Sequence, residues 1–269
     1  MAPVVIATWN VNSIRIRLPR LLALLARHQP DILCLQELKV VDEQFPYEEL
    51  AAAGYHAQVW GQKTYNGVAL LSRHQHGQPE ALERGLSVGA TEWHDDQARA
   101  IAATYRIGSH ALRVASWYVP NGGTVGSDKY QYKLRWLAQA QAWVAHAQAA
   151  HPLLCVCGDM NVAPTDADVY DAIAWGPDVL CTPAERTAYA AAIAPLTDVV
   201  RLHQPQAGLF SWWDYRGLSF FKNLGLRIDH VVAAPALAQH CTDASIDRAE
   251  RKGDQPSDHA PVLAQFTLS

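Results

Sequence analysis

The sequence predicts a mixed α/β (α+β) chain, with β-sheets packed face to face and helices on the outside. Three observations carry that expectation: short apolar runs that end in polar residues, longer stretches with helical spacing, and no strict alternation of strand and helix. No low-complexity tract, long linker or fixed-period repeat divides the 269 residues, so one domain spanning 1–269 is expected.

The strand candidates are residues 4–10, 31–37, 67–72, 100–106, 112–118, 153–159, 227–233 and 261–268. Each is short and apolar, with Val, Ile, Cys and Tyr prominent, the composition of a buried strand. Residues 18–28 have helical spacing, with Pro19 near the start. So do residues 128–148, where Tyr130, Leu134, Leu137 and Trp143 supply an apolar stripe. A third, shorter helix is expected after Thr182-Pro183-Ala184-Glu185, a capping box with proline at the first helical position.

Composition narrows the function. Hydrophobic residues make up 49% of the chain and charged residues 18%, enough for a packed core and too apolar for disorder. No apolar run approaches the roughly 20 residues that span a bilayer. Met1-Ala2-Pro3-Val4-Val5-Ile6 enters a strand-like segment without a basic leader region. A soluble, cytoplasmic chain is expected, with no membrane partner and a monomer as the default. Cys34, Cys155, Cys157, Cys181 and Cys241 form no CxxC pair, so reduced, buried thiols are expected rather than a zinc or redox site. Cys155 and Cys157, two apart on a strand, share a face. The formal net charge of −4 argues against the basic footprint of a nucleic-acid binder. Carboxylates gathered around a divalent cation would weaken that objection.

The chemistry-bearing residues sit where strands end. Asn10, Glu37, Tyr118, Asp159 and Asp229 all fall at or near such ends, a common way to bring distant residues into one pocket. Gly158-Asp159-Met160-Asn161 places a carboxylate and a carboxamide two apart, so both can face one ligand; alone, an Asp/Asn turn closing a strand is the better account. Arg227-Ile228-Asp229-His230 and Ser257-Asp258-His259-Ala260 each hold adjacent Asp and His. Singly they read as surface loops. Together, one Asp can fix the tautomer of a histidine while another carboxylate binds metal.

Gln36-Glu37 closes a very apolar run, and a largely buried carboxylate needs a partner. Oxygen ligands without a cysteine–histidine cluster point to magnesium or manganese rather than zinc. Tyr118-Val119-Pro120-Asn121-Gly122-Gly123 sets a phenol before a glycine-rich turn. In Phe210-Ser211-Trp212-Trp213-Asp214-Tyr215-Arg216, two adjacent tryptophans cannot easily share one core face, which leaves one for a sugar or unstacked base.

In this order, the segments Trp9-Asn10, Leu35-Gln36-Glu37-Leu38-Lys39, Tyr118-Val119-Pro120-Asn121-Gly122, Gly158-Asp159-Met160-Asn161-Val162, Phe210-Ser211-Trp212-Trp213-Asp214-Tyr215-Arg216, Gly225-Leu226-Arg227-Ile228-Asp229 and Ser257-Asp258-His259-Ala260-Pro261 resemble the exonuclease III family of AP endonucleases. That family lies within the wider endonuclease–exonuclease–phosphatase group. The resemblance implies a four-layered α/β sandwich and magnesium-dependent hydrolysis of DNA, with manganese as a substitute. The implied substrates are double-stranded DNA cut 5′ to abasic sites, and 3′ termini removed as an exonuclease or 3′-phosphatase.

By the same resemblance Glu37 is the principal metal ligand, with Asn10 and Asp258 completing or supporting the site. Asp159 orients and deprotonates water, Asn161 holds the phosphate, His259 steadied by Asp229 stabilises the developing charge, and Tyr118 donates a hydrogen bond. One ion or two remain open, since Asp159, Asn161 and His259 can share a second. Asp159 or an ionised Tyr118 remain alternatives for the base. DNA contacts are expected from Trp212 or Trp213, Tyr189, Lys39, Arg15, Lys129, Lys133, Arg216 and Asn121. Residues 164–180, poor in basic side chains, depart most from the family pattern; they shape the damage pocket, so the balance of activities is open.

Two rivals stand beside this reading. A phospholipid or inositol phosphate phosphatase would share the core chemistry but not the Trp212-Trp213-Asp214-Tyr215-Arg216 segment. A catalytically retired nucleic-acid-binding regulator could shed its ligands, yet Glu37, Tyr118, Asp159, Asn161, Asp229, Asp258 and His259 all keep usable types.

Overall fold

A computed structural model describes residues 3–88 and 93–268; Met1 and Ala2 of the N-terminal segment lie outside the described residues. In chain order the strands are β1 (Val4–Asn10), β2 (Ile32–Gln36), β3 (Tyr55–Trp60), β4 (Val68–Arg73), β5 (Glu80–Arg84), β6 (Ala100–Ile107), β7 (His110–Tyr118), β8 (Leu154–Asp159), β9 (Thr197–Asp198), β10 (Asp229–Ala233), β11 (Cys241–Ile246) and β12 (Val262–Phe266). Helices that bear on the argument are α1 (Ile14–His28), α2 (Tyr47–Ala52), α3 (Asp128–Ala150), α4 (Ala172–Trp175) and α5 (Pro183–Ile193).

The strands form two six-stranded sheets, ordered β11-β12-β1-β2-β4-β3 and β5-β6-β7-β8-β10-β9. Each is mixed: β1–β2 and β7–β8 pair in parallel at the centre, and their other neighbours run antiparallel. Alternation along the central strands sorts residues onto two faces. One face of each sheet meets the other sheet, through Ile6, Cys34, Leu70, Val114, Cys157 and Val231 among others. The opposite face of the first sheet packs on α1, and that of the second on α3 and α5. Helix, sheet, sheet and helix therefore stack in four layers, the expected sandwich. Among the described residues no helix is long and apolar enough to cross a membrane.

All eight expected strands are present, but four more were not foreseen: β3, β5, β9 and β11. These are the four sheet edges. An edge strand is half solvated and keeps polar side chains, so it lacks an apolar run; β5 has only one residue that is not exposed. The first helix begins at Ile14, which places Pro19 inside it rather than at its start. On α3 the buried stripe includes Lys133 and Trp136, with Leu134 only partly covered. The capping box opening α5 has both its hydrogen bonds. All five cysteines are free and buried.

Candidate active site

Register sets the site. Tyr118 pairs with Asp159, and Asp159 with Asp229, so three neighbouring strands of the second sheet place three functional side chains in one row. The row faces inward, continuing the positions of Cys157 and Val231 in the inter-sheet core. Across the gap, β1 ends at Asn10 opposite Gln36, and Glu37 follows immediately. The site is thus the last layer of the core between the sheets. The layer behind it is already polar: the Gln36 amide donates to Thr8 Oγ1 at 2.9 Å and to Ser116 Oγ at 3.0 Å.

Local backbone conformation shapes this rim. Gly158 is required where β8 runs beside β7, because a Cβ there would lie 1.9 Å from the Trp117 carbonyl oxygen. Glu37, Lys39 and Asn161 hold left-handed conformations, with φ of 53°, 58° and 48°. Strained backbone of this kind persists where the surroundings over-determine it, typically at functional sites.

Glu37, Asp159 and His259 each direct one ligand atom so that all three lie within 4.8 Å of one another. The two carboxylate oxygens at that spacing suit a divalent cation, with the His259 imidazole beside them. The site also carries an excess of carboxylates that such an ion would offset. Burial pushes the Asp159 carboxyl up to about 7; His259 opposes the rise, and Asp229 and Glu37 reinforce it.

His259 is held from behind: Asp229 Oδ2 accepts from its Nδ1 at 2.8 Å, and Ser211 donates to the same carboxylate at 2.7 Å. Burial lowers the imidazole, but Asp229, Asp159 and Asp258 outweigh it and drive His259 up to about 10. Burial, together with Glu37 and Asp159, holds the Tyr118 phenol well above its ordinary value, so it stays a proton donor. The Arg99 guanidinium lies 4.9 Å from the centre of the Tyr118 ring.

Beside Glu37 and Tyr118 opens a cavity of about 640 Å³, lined by Lys39, Tyr65, Arg99, Asn121 and Lys129 among others. Its cations are Lys39, Arg99 and Lys129. On the other side of His259, Trp212 packs with Val169, Leu180, Leu226 and Ile228. Trp212 Nε1 donates to Asp258 at 3.0 Å.

Hydrogen bonds define the surroundings of several expected positions. Asn10 directs its amide nitrogen, not its oxygen, at Glu37 and Asp159, 2.9 Å from each, because its oxygen accepts from the Asn12 backbone. In this conformation its amide steadies both carboxylates. Asp258 accepts from Asn12 and Trp212 and stands outside the three-residue cluster. Asn161 spends its amide hydrogens on Val119 and Asp159, while Asn121 donates to its oxygen at 3.1 Å. This leaves the amide of Asn121, rather than that of Asn161, with a hydrogen to offer a ligand.

Three expected DNA contacts are interior. Trp213 is 0% exposed and bonds Asn223, whereas Trp212 is half-buried. Tyr189 donates toward His230 from within the core formed by the outer helices. Lys133 is buried against Glu185. Arg15 and Arg216 are exposed and bonded to Gln44 and Asp214. Lys39 reaches Glu37 at 2.9 Å, and Lys129 lines the cavity. Sequence reasoning missed Arg99, Asn12 and Ser211, whose positions only the folded chain reveals.

A buried carboxylate–imidazole cluster at the meeting ends of two packed mixed sheets defines a phosphoester hydrolase of nuclease type. The chain belongs to the endonuclease/exonuclease/phosphatase family, whose model matches residues 7–259. It is similar to exodeoxyribonuclease III of Haemophilus influenzae, 35% identical with 96% of this chain and 98% of that one covered. Among solved structures it is similar to a Neisseria 3′ phosphatase, NExo, bound to a product DNA hairpin: 41% identity, TM-score 0.92, covering 98% of this chain and 100% of that one. An AP endonuclease from Archaeoglobus fulgidus has 35% identity and TM-score 0.88, with 98% and 100% covered. The chain is a DNA-repair nuclease.

Proposed function

We propose that this nuclease uses magnesium, with manganese as a substitute, to hydrolyse phosphoesters at the 3′ ends of double-stranded DNA. Glu37, set beside Asp159 and His259, carries the reading. Glu37 would anchor the ion, which when bound neutralises charge on the phosphate oxygens. Asp159, with its carboxyl near neutrality, takes the proton of the attacking water. His259, cationic between carboxylates, donates from Nε2 to a phosphate oxygen. Tyr118 donates its phenolic hydrogen and so is not the base. Asn121 offers its remaining amide hydrogen to the phosphate, and Lys39 and Lys129 meet neighbouring phosphates from the cavity.

Incision 5′ to abasic sites is the second reading, supported by the likeness to the archaeal AP endonuclease. The higher likeness to the Neisseria 3′ phosphatase, at 41% identity against 35%, favours 3′ ends. The test sets a duplex with a 3′-phosphate beside one with an abasic-site analogue and an undamaged one, each with magnesium and with EDTA. Magnesium-dependent phosphate release faster than abasic incision is expected. Faster abasic incision would reverse the order of the two readings, and binding without cleavage would favour the retired regulator.

A further inference from the structure

We propose that the buried Lys133–Glu185 ion pair is a positioning device that fixes the Asn121 and Asn161 loops against each other over the catalytic carboxylate. The inference rests on the reading that the Asn121 amide acts at the phosphate, where the Asn161 oxygen holds it. Lys133 Nζ donates to the Asn121 carbonyl at 3.1 Å, to the Asn161 carbonyl at 2.6 Å and to the Glu185 carboxylate. All three ammonium hydrogens are therefore used inside the protein, and both side chains are 0% exposed.

Glu185 extends the clamp. Its oxygens accept from the Leu180 and Thr182 backbone, each at 3.0 Å, and from the Thr182 hydroxyl at 2.6 Å. One buried pair thus ties the loop after β7, the loop after β8 and the segment entering α5, which come from separate parts of the sequence. The consequence reaches the chemistry, because the Asn161 backbone donates to Asp159 Oδ1 at 2.9 Å and its side chain meets Asn121. A buried ion pair contributes little net stability over an apolar pair of equal volume, so stability alone does not account for this one. Burial lowers the Lys133 ammonium while Glu185 raises it.

Lys133→Met removes the three donors and keeps the volume. Since that strands a carboxylate in the interior, Lys133→Met/Glu185→Gln is made beside it, and carries the test if the single variant does not fold. Val144→Ala, in the apolar stripe of the same helix, serves as a control that loses stability without touching either loop. Steady-state kinetics on a 3′-phosphate duplex should show kcat reduced about 10- to 100-fold with KM little changed, as for a small misplacement of catalytic groups. Lys133→Arg should recover part of the loss. A wild-type kcat in folded Lys133→Met or in the double variant overturns the proposal, as does an equal loss in Val144→Ala. An Asn161→Ala variant separates the two levels: if it is fully active, the reading of the amides fails, whereas if it is inactive beside an active Lys133→Met, only the clamp fails.

Discussion

His259 stands between two carboxylates, its Nδ1 2.8 Å from Asp229 Oδ2 and its Nε2 3.7 Å from Asp159 Oδ2. An ionised carboxylate only accepts, so Nδ1 must carry a hydrogen, and the ring is fixed with Nε2 facing the reaction. Asp229→Asn removes the charge that, with Asp159 and Asp258, keeps the ring protonated, so Nε2 loses the hydrogen it offers the phosphate. Turnover on a 3′-phosphate duplex should fall about 10²- to 10⁴-fold. Unchanged turnover would show that Asp229 does not govern the histidine.

Glu37 receives the Asn10 amide on one oxygen and Lys39 on the other, so its charge is balanced by neighbours that an ion can displace or supplement. Glu37→Gln should raise the magnesium concentration for half-maximal rate at least about tenfold. EDTA should abolish the wild-type rate. A superimposable magnesium titration for the variant would remove Glu37 from the ion's ligands.

Stability in acid should depend on His230. This side chain is buried between the Tyr189 hydroxyl and the Arg227 carbonyl, and burial, aided by Arg227, pushes it down to about 4. The unfolded chain binds the proton more readily, at the ordinary value near 6.5. Its contribution is therefore complete above pH ~6.5 and is lost as pH falls toward 4. Urea unfolding should show a decline on the order of 3 kcal/mol across that window. His230→Gln should flatten it; an identical decline in the variant would place the acid sensitivity elsewhere.

The adjacent tryptophans should separate cleanly. Trp213, fully buried against Phe210 and Phe220, should cost about 3–5 kcal/mol of stability when changed to alanine. Trp212→Ala should cost less stability and reduce kcat/KM, because Trp212 holds Asp258 beside His259. Equal thermal shifts with equal kinetics in the two variants would contradict this division.

The central strands and the residues at their ends were legible in the sequence, because a strand buried on both faces leaves an uninterrupted apolar run with its polar residue at the rim. Asn10, Glu37, Tyr118, Asp159 and Asp229 all announced themselves that way. Edge strands such as β5 carry no such mark. Nor does burial of a cation: Lys133 on a helix looks like any surface lysine until Glu185, 52 residues later, arrives beside it. The choice between Trp212 and Trp213 depends on which side of the loop segment meets the core, which adjacent residues of the same type cannot disclose. Asn10 shows a further limit, since the sequence names a carboxamide and only the Asn12 backbone decides which of its ends faces the carboxylates.

Asp159 is the residue on which these roles converge, held by the Asn10 amide at 2.9 Å and the Asn161 backbone at 2.9 Å. Single-turnover phosphate release from a 3′-phosphate duplex, compared between the wild type and Asp159→Asn at saturating magnesium, tests it most directly. The predicted result is a rate lower by several orders of magnitude with DNA affinity within a few-fold of wild type. A wild-type single-turnover rate in Asp159→Asn would contradict the assignment of the base and the mechanism built on it.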